Sequence, residues 1–136
     1  MFGNQSGAFV NRHFITIGSL FSDLYSRLIS GFIRADRPIV GEIGGGYGKL
    51  IYFLSRKIDN FCYLDFDLPE VLCCASYFLL KTFPNKKFIL YGEENLTKSS
   101  LQEYDFILFP SFEISTLPEE SIDMFINVNS LGEMKP

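Results

Sequence analysis

The sequence predicts an α/β protein whose strands form a doubly wound, mainly parallel sheet, and three observations support this. A short apolar run at 38–43 leads directly into a glycine cluster at 44–48. Apolar residues then recur at helical spacing between residues 47 and 58. The number of expected strands reaches about five, because apolar runs of strand length also occur at 61–66, 87–91, 105–109 and 122–128. Strand, turn, helix and strand in this order are typical of βαβ units.

The residues before the first strand are expected to form a leader and one helix. Residues 1–13 hold few apolar side chains among glycine, asparagine and serine, which indicates a loose leader. From about Ser19 apolar residues recur at helical spacing, and this helix should end near Gly31 or, at the latest, before Pro38. The sequence therefore divides into a leader and helix at 1–37 and a sheet domain at 38–136.

Another helix is expected between the second and third strands. Asp67 stands at the cap position, Pro69 in the first turn and Glu70 three residues after the cap, as is typical of a helix start. The segment up to about Thr82 is apolar nearly all round, which indicates burial against a sheet. Asp67 thus has a structural explanation that competes with any role in binding.

Composition limits the classes of function. The chain of 136 residues is 47% hydrophobic and 21% charged, unlike a disordered chain. Its net charge of −4, without a basic block, offers no site for nucleic acid or an anionic membrane. Its apolar runs are far shorter than the ~20 residues of a membrane helix. No secretory signal is evident, so we expect a cytoplasmic protein.

The metal-ligating residue types are few. Cys62, Cys73 and Cys74 form no C-x-x-C pair, and an odd number of cysteines argues against a disulfide framework. His13 is the single histidine, so the chain cannot assemble a histidine cluster or a Ser-His-Asp triad. We therefore expect no metal site.

The glycine cluster, E-I-G-G-G-Y-G from Glu42 to Gly48, is the strongest functional signal. Glycines between a strand and a helix let the main chain turn tightly and approach a ligand. A phosphate-binding P-loop, G-x-x-x-x-G-K-[ST], is excluded because Ile43 and Leu50 stand at its first and last positions. The dinucleotide pattern G-x-G-x-x-G is weakened because its third glycine falls one residue early. An NAD(P)-binding oxidoreductase domain remains the alternative.

An acid two residues before three alternating glycines, Gly44, Gly46 and Gly48, resembles the first motif of class I S-adenosylmethionine-dependent methyltransferases. The resemblance implies a Rossmann-like fold in which these glycines and Glu42 bind S-adenosyl-L-methionine. That cofactor has no phosphates, so the turn needs only to admit its methionine and ribose parts, and Glu42 would help to place its cationic amino-acid portion. The competing interpretation is a turn without a ligand, although ordering so many glycines is entropically costly.

A second motif, F-D-L-P-E, contains Asp67, which lies 23 positions beyond Gly44. In βαβ cofactor folds an acid about 20 residues beyond the turn accepts hydrogen bonds from ribose hydroxyls. Asp65 could take this role if the strand ended sooner. F-D-L-P resembles the acid motif of small-molecule O-methyltransferases, which favours Asp67. Capping and binding are compatible, because a carboxylate has about four acceptor sites.

Two later segments extend the resemblance. In this superfamily the loop after the third parallel strand borders the adenine, and the segment at 109–113 is expected to fill that place. There Ser111 replaces a common acid. Phe112 would pack on the adenine ring or belong to the core. At the end of the last strand the resemblance implies that Asn127 binds the cofactor and that Glu133 is the catalytic base. Ser130 and Glu133 equally fit a helix capping box.

Over residues 38–134 the combined motifs most resemble bacterial proteins assigned as sugar O-methyltransferases. That resemblance implies methyl transfer to a hydroxyl of a small-molecule acceptor, here a sugar. The complete fold has seven strands, so we expect a truncated domain that binds cofactor without catalysing transfer alone. Homo-oligomerisation would cover its open sheet edge. A non-catalytic remnant that serves as an interaction scaffold is a further hypothesis.

Overall fold

The structure, a computed structural model, describes residues 6–128 and 130–133, without the side chains of residues 131 and 133. Its elements in chain order are β1 (Gly7–Val10), β2 (His13–Thr16), α1 (Ile17–Phe32), β3 (Ile39–Ile43), α2 (Lys49–Leu54), β4 (Cys62–Asp67), α3 (Pro69–Thr82), β5 (Phe88–Leu90), α4 (Lys98–Glu103), β6 (Phe106–Pro110), a 3-10 helix (Ser111–Thr116), β7 (Met124–Asn127) and α5 (Ser130–Glu133).

Five parallel strands form one sheet in the order β5-β6-β4-β3-β7. The chain builds outward from β3 through β4, reaches the edge at β5 and fills the gap with β6. It then crosses back to place β7 on the opposite side of β3. The strand β3 is therefore the topological switch point, and open α/β sheets bind ligands at the carboxyl ends of strands there. The predicted α/β fold with about five parallel strands is confirmed.

Helices cover both faces of the sheet because side chains alternate along each strand. On one face α1, α2 and α3 pack on Val40 and Tyr63, with Leu79 of α3 fully buried against them. On the other face α4 and the 3-10 helix cover Leu64 and Phe66. None of the helices in the described part of the chain is long and apolar enough to cross a membrane.

The N-terminal segment is more ordered than the sequence predicts. The strands β1 and β2 pair antiparallel where a loose leader was expected over residues 1–13. The turn between them consists of Asn11 and Arg12, with φ angles of 48° and 67°. A hairpin turn with two left-handed residues usually contains glycine. This turn contains none, so the sequence did not predict the hairpin. The helix α1 follows at once, and the Thr16 side chain caps it by accepting the N–H of Ser19 at 3.2 Å.

Candidate functional site

The glycine turn follows β3 directly and takes a backbone path that favours glycine. Gly44, Gly46 and Gly48 have φ angles of 76°, 64° and 87°, in the left-handed region. A Cβ on Gly48 would also lie 2.9 Å from the Leu79 side chain, so glycine here lets α2 approach α3 closely. The structure therefore brings all three predicted glycines to the switch point.

The main-chain N–H groups of the three consecutive glycines at 44–46 donate to the protein itself. The N–H of Gly44 donates to a main-chain oxygen of β4 at 2.8 Å. The N–H of Gly45 donates to Oδ1 of Asp65 at 3.2 Å. The N–H of Gly46 donates to Oδ2 of Asp67 at 2.8 Å. A turn that binds phosphate presents such N–H groups to its ligand instead.

Three carboxylates surround the turn on the side of the sheet that α2 and α3 cover. Glu42 and Asp65 are neighbours in the strand register and are buried, with 2% and 0% of their surface exposed. The Tyr63 hydroxyl donates to Oε2 of Glu42 at 2.6 Å. Asp67 is half-buried at the end of β4. Of the two acids that the sequence left as ribose ligands, Asp67 is thus the more accessible.

Burial alters the protonation of these acids. It raises the pKa of Glu42 to about 7, while the hydrogen bond from Tyr63 opposes the rise and the charge of Asp67 adds to it. Burial, together with the charges of Glu42 and Asp67, raises the pKa of Asp65 well above its usual range. Oδ2 of Asp65 has no hydrogen-bond partner in the described part of the chain. Burial thus disfavours the charged form of Asp65, and Glu42, with its pKa of about 7, lies beside it in the strand register.

Asp67 does not cap α3, contrary to one interpretation of the sequence. The cap position belongs to Leu68, which makes no side-chain capping bond, and Pro69 begins the helix. The Asp67 carboxylate is turned toward the glycine turn, where it accepts the N–H of Gly46, and its other oxygen accepts the N–H of Leu68 at 2.7 Å. This acid therefore links β4 to the turn.

A cleft of about 370 Å³ opens beside the turn. Its floor contains Glu42 and the glycines, and Gly46 faces it with no atom within 4 Å of the place where a Cβ would lie. Val128 and α1, through Phe21 and Tyr25, form further walls. The volume lies within the range of about 300–1,000 Å³ that small-molecule sites have.

The end of β7 is fastened beside this cleft. Nδ2 of Asn127 donates to the main-chain oxygen of Ile43 at 2.9 Å, and the Ser130 hydroxyl donates to the same oxygen at 2.7 Å. Asn127 and Ser130 also contact each other, and a Cβ on Gly44 would overlap the Ser130 side chain. Ser130 is the first residue of α5, and its hydroxyl therefore bonds this helix to the end of β3. The side chain of Glu133 lies outside the described residues, so its role as a base stays a prediction.

Ser111 and Phe112 lie on the 3-10 helix that follows β6, away from the walls of the cleft. Phe112 is 62% exposed, so its interpretation as a core residue is wrong. Its ring packs edge-on against Tyr91 near β5, with 5.8 Å between the ring centroids. The predicted contacts of Ser111 and Phe112 with an adenine stay predictions.

Lys49 and the first turns of α1 are the parts of the cleft that the sequence analysis missed. Lys49, at the start of α2, is half-buried and lines the cleft. Gly18 and Ser22, one turn apart on α1, line the opposite wall. Small residues spaced by four on an otherwise apolar helix face were the available signal.

No protein-family model matches the chain, and no curated protein sequence matches it. A solved structure from Methanococcus maripaludis, named as a candidate S-adenosyl-L-methionine-dependent methyltransferase, superposes with a TM-score of 0.61 at 12% identity over 86% of this chain. The structure of mitomycin 7-O-methyltransferase superposes with a TM-score of 0.53 at 15% identity over 85% of this chain. This chain therefore shares the α/β fold of these two structures. The chain spans 46% and 29% of those two proteins, less than half of either.

Proposed function

We propose that this chain is the part of a methyltransferase that binds S-adenosyl-L-methionine. The observation that carries the proposal is the use of the turn's N–H groups by Asp65 and Asp67. A dinucleotide pyrophosphate would find these donors already bonded and would approach acids instead. A cofactor with a sulfonium cation and no phosphate does not need these donors, and its positive charge is not repelled by the acids.

The residues around the turn fit this cofactor. Gly46 leaves open space toward the cleft, where a Cβ would intrude. Glu42 lines the cleft and suits a cationic amino-acid portion. Asp67 lies on the same edge of the sheet, and its remaining acceptor sites suit ribose hydroxyls. Ser111 and Phe112 would border the adenine, and Asn127 would hold the end of β7 beside the site.

The cofactor, when bound, supplies an electrophilic methyl group, while the protein supplies binding and alignment. We propose an acceptor hydroxyl, supported by the F-D-L-P segment and by the O-methyltransferase among the similar structures. The sugar as acceptor rests on the sequence resemblance. Glu133 would accept the proton of that hydroxyl. A homo-oligomer would cover the free edge of β7.

Titration calorimetry on the whole chain tests the cofactor. S-adenosylmethionine and its demethylated product, S-adenosylhomocysteine, should both bind, and NAD should release no heat of binding. Binding of NAD in preference to S-adenosylhomocysteine would favour the oxidoreductase alternative. Binding of none of the three would favour an interaction scaffold and overturn the proposal.

A further inference from the structure

We infer that Lys49 binds the carboxylate of an α-amino-acid group whose ammonium faces Glu42, so that the cleft recognises the zwitterionic end of its ligand. The inference rests on the proposed function, since the amino-acid end of S-adenosylmethionine carries both charges. It assigns a ligand contact to a residue outside the glycine and acid motifs.

The Lys49 ammonium lies between the Tyr47 ring and Gly18 of α1. Nζ lies 5.2 Å from the centroid of the Tyr47 ring, a cation–π distance. That ring packs edge-on against Phe78 of α3, with 5.7 Å between the centroids. On the other side, a Cβ on Gly18 of α1 would lie 2.9 Å from Nζ. The ammonium therefore lies between the turn and α1, in space that the absence of a side chain at Gly18 leaves open.

Lys49 lacks an ionic partner that other lysines have. Among the described residues no carboxylate oxygen lies within 4.0 Å of its Nζ, whereas Lys57, Lys86 and Lys87 each have one within that distance. A ligand carboxylate could therefore pair with this ammonium, and the charge-assisted hydrogen bond would add affinity.

The cleft is lined by both an acid and a base. Glu42 and Lys49 line the same cleft of about 370 Å³, and Leu50 and Tyr25 add apolar surface to it. An α-amino acid carries its ammonium and carboxylate on one carbon, so it requires opposite charges across a small space. A ligand with only a cation would leave Lys49 unpaired, and one with only an anion would face Glu42.

Two ligands separate this contact from the rest of the site. S-adenosylhomocysteine carries the amino-acid group, and methylthioadenosine has the same nucleoside without it. Calorimetry on the full chain should show that Lys49→Met weakens S-adenosylhomocysteine binding about tenfold and changes methylthioadenosine binding less than twofold. Lys49→Arg should retain most of the affinity. Lys87→Met, which removes an exposed lysine 3.3 Å from Glu103, is the matched control and should leave both affinities unchanged.

A second variant guards against misfolding of the first. Gly18→Ala adds a methyl group where it displaces the ammonium, so it should also weaken S-adenosylhomocysteine selectively. Equal loss of both ligands in Lys49→Met and Gly18→Ala, or no loss, would overturn the inference while S-adenosylhomocysteine still binds the unaltered chain. Failure of S-adenosylhomocysteine to bind that chain at all would instead overturn the proposed function, and the inference with it.

Discussion

Two segments that follow parallel strands at the same edge of the sheet are built differently. In the turn after β3, the N–H groups of residues 44–46 bond to β4, and the turn lies beside the buried acids Glu42 and Asp65. The 3-10 helix after β6 has no buried residue, and its Phe112 ring is 62% exposed. The first segment is thus bonded to the neighbouring strand, whereas the second presents an aromatic ring to solvent. Affinity should therefore depend mainly on the turn after β3.

The largest effect should come from the buried acid beneath the turn. The pKa of Glu42 is about 7 in the folded chain against an ordinary value of 4.5, so the folded state binds more protons between these pH values. The free energy of unfolding should therefore fall as pH rises from about 4.5 to 7, by about 3 kcal/mol from this group. Urea unfolding should show that the free energy of unfolding of Glu42→Gln lacks this decrease between about pH 4.5 and 7. An unchanged pH dependence in this variant would contradict the assignment.

A side chain on the open glycine should remove cofactor binding. In Gly46→Val the new atoms would enter the cleft, and we expect S-adenosylhomocysteine affinity to fall at least about a hundredfold. The left-handed backbone alone costs about 1–2 kcal/mol of stability. Gly92→Val, at a φ of 92° with equally open surroundings on the loop after β5, is the control for that cost. Calorimetry should find normal binding in the control, and equal losses in both variants would contradict the role of Gly46.

Neutralising the acid that links β4 to the turn should have a smaller effect. Asp67→Asn keeps an acceptor for the Gly46 N–H and loses the charge-assisted bonds to ribose, so affinity should fall about tenfold. Because the ribose is common to both nucleosides, S-adenosylhomocysteine and methylthioadenosine should weaken together. A loss confined to S-adenosylhomocysteine would place the carboxylate near the amino-acid group instead.

The smallest effect is expected in the segment after β6. Removing an aromatic contact costs about 0.5–1.5 kcal/mol, so Phe112→Ala should weaken methylthioadenosine binding about threefold. A loss of affinity larger than that in Asp67→Asn would show that binding depends more on the segment after β6 than on the turn after β3. Calorimetry under identical conditions compares them directly.

The turn and its acids were predictable because they are local in sequence. Glycines at fixed spacing after a strand, and an acid at the end of the next strand, follow from the geometry of one βαβ unit. The choice between Asp65 and Asp67 depended on where β4 ends, and the resemblance favoured the residue that is the more accessible one in the structure. The expectation that Asp67 caps α3 was wrong, because its carboxylate bonds to Gly46, 21 positions earlier, and local sequence does not reveal this contact.

What the sequence could not predict comes from contacts between distant segments. The position of Lys49 depends on Gly18, more than thirty residues earlier, through the packing of α1 against α2. Phe112 packs against Tyr91 at the surface instead of in the core, and no periodic pattern encodes that contact. The hairpin at residues 7–16 depends on a turn without glycine.

The bonds from residues 44–46 to β4 have a consequence for the chain before it meets a ligand. Three consecutive amide hydrogens are already engaged, two of them with carboxylates. Their exchange with solvent deuterium requires the loop to detach from its neighbouring strand. The shape of this loop is thus a property of the free protein, and a ligand adds to an arrangement that exists without it.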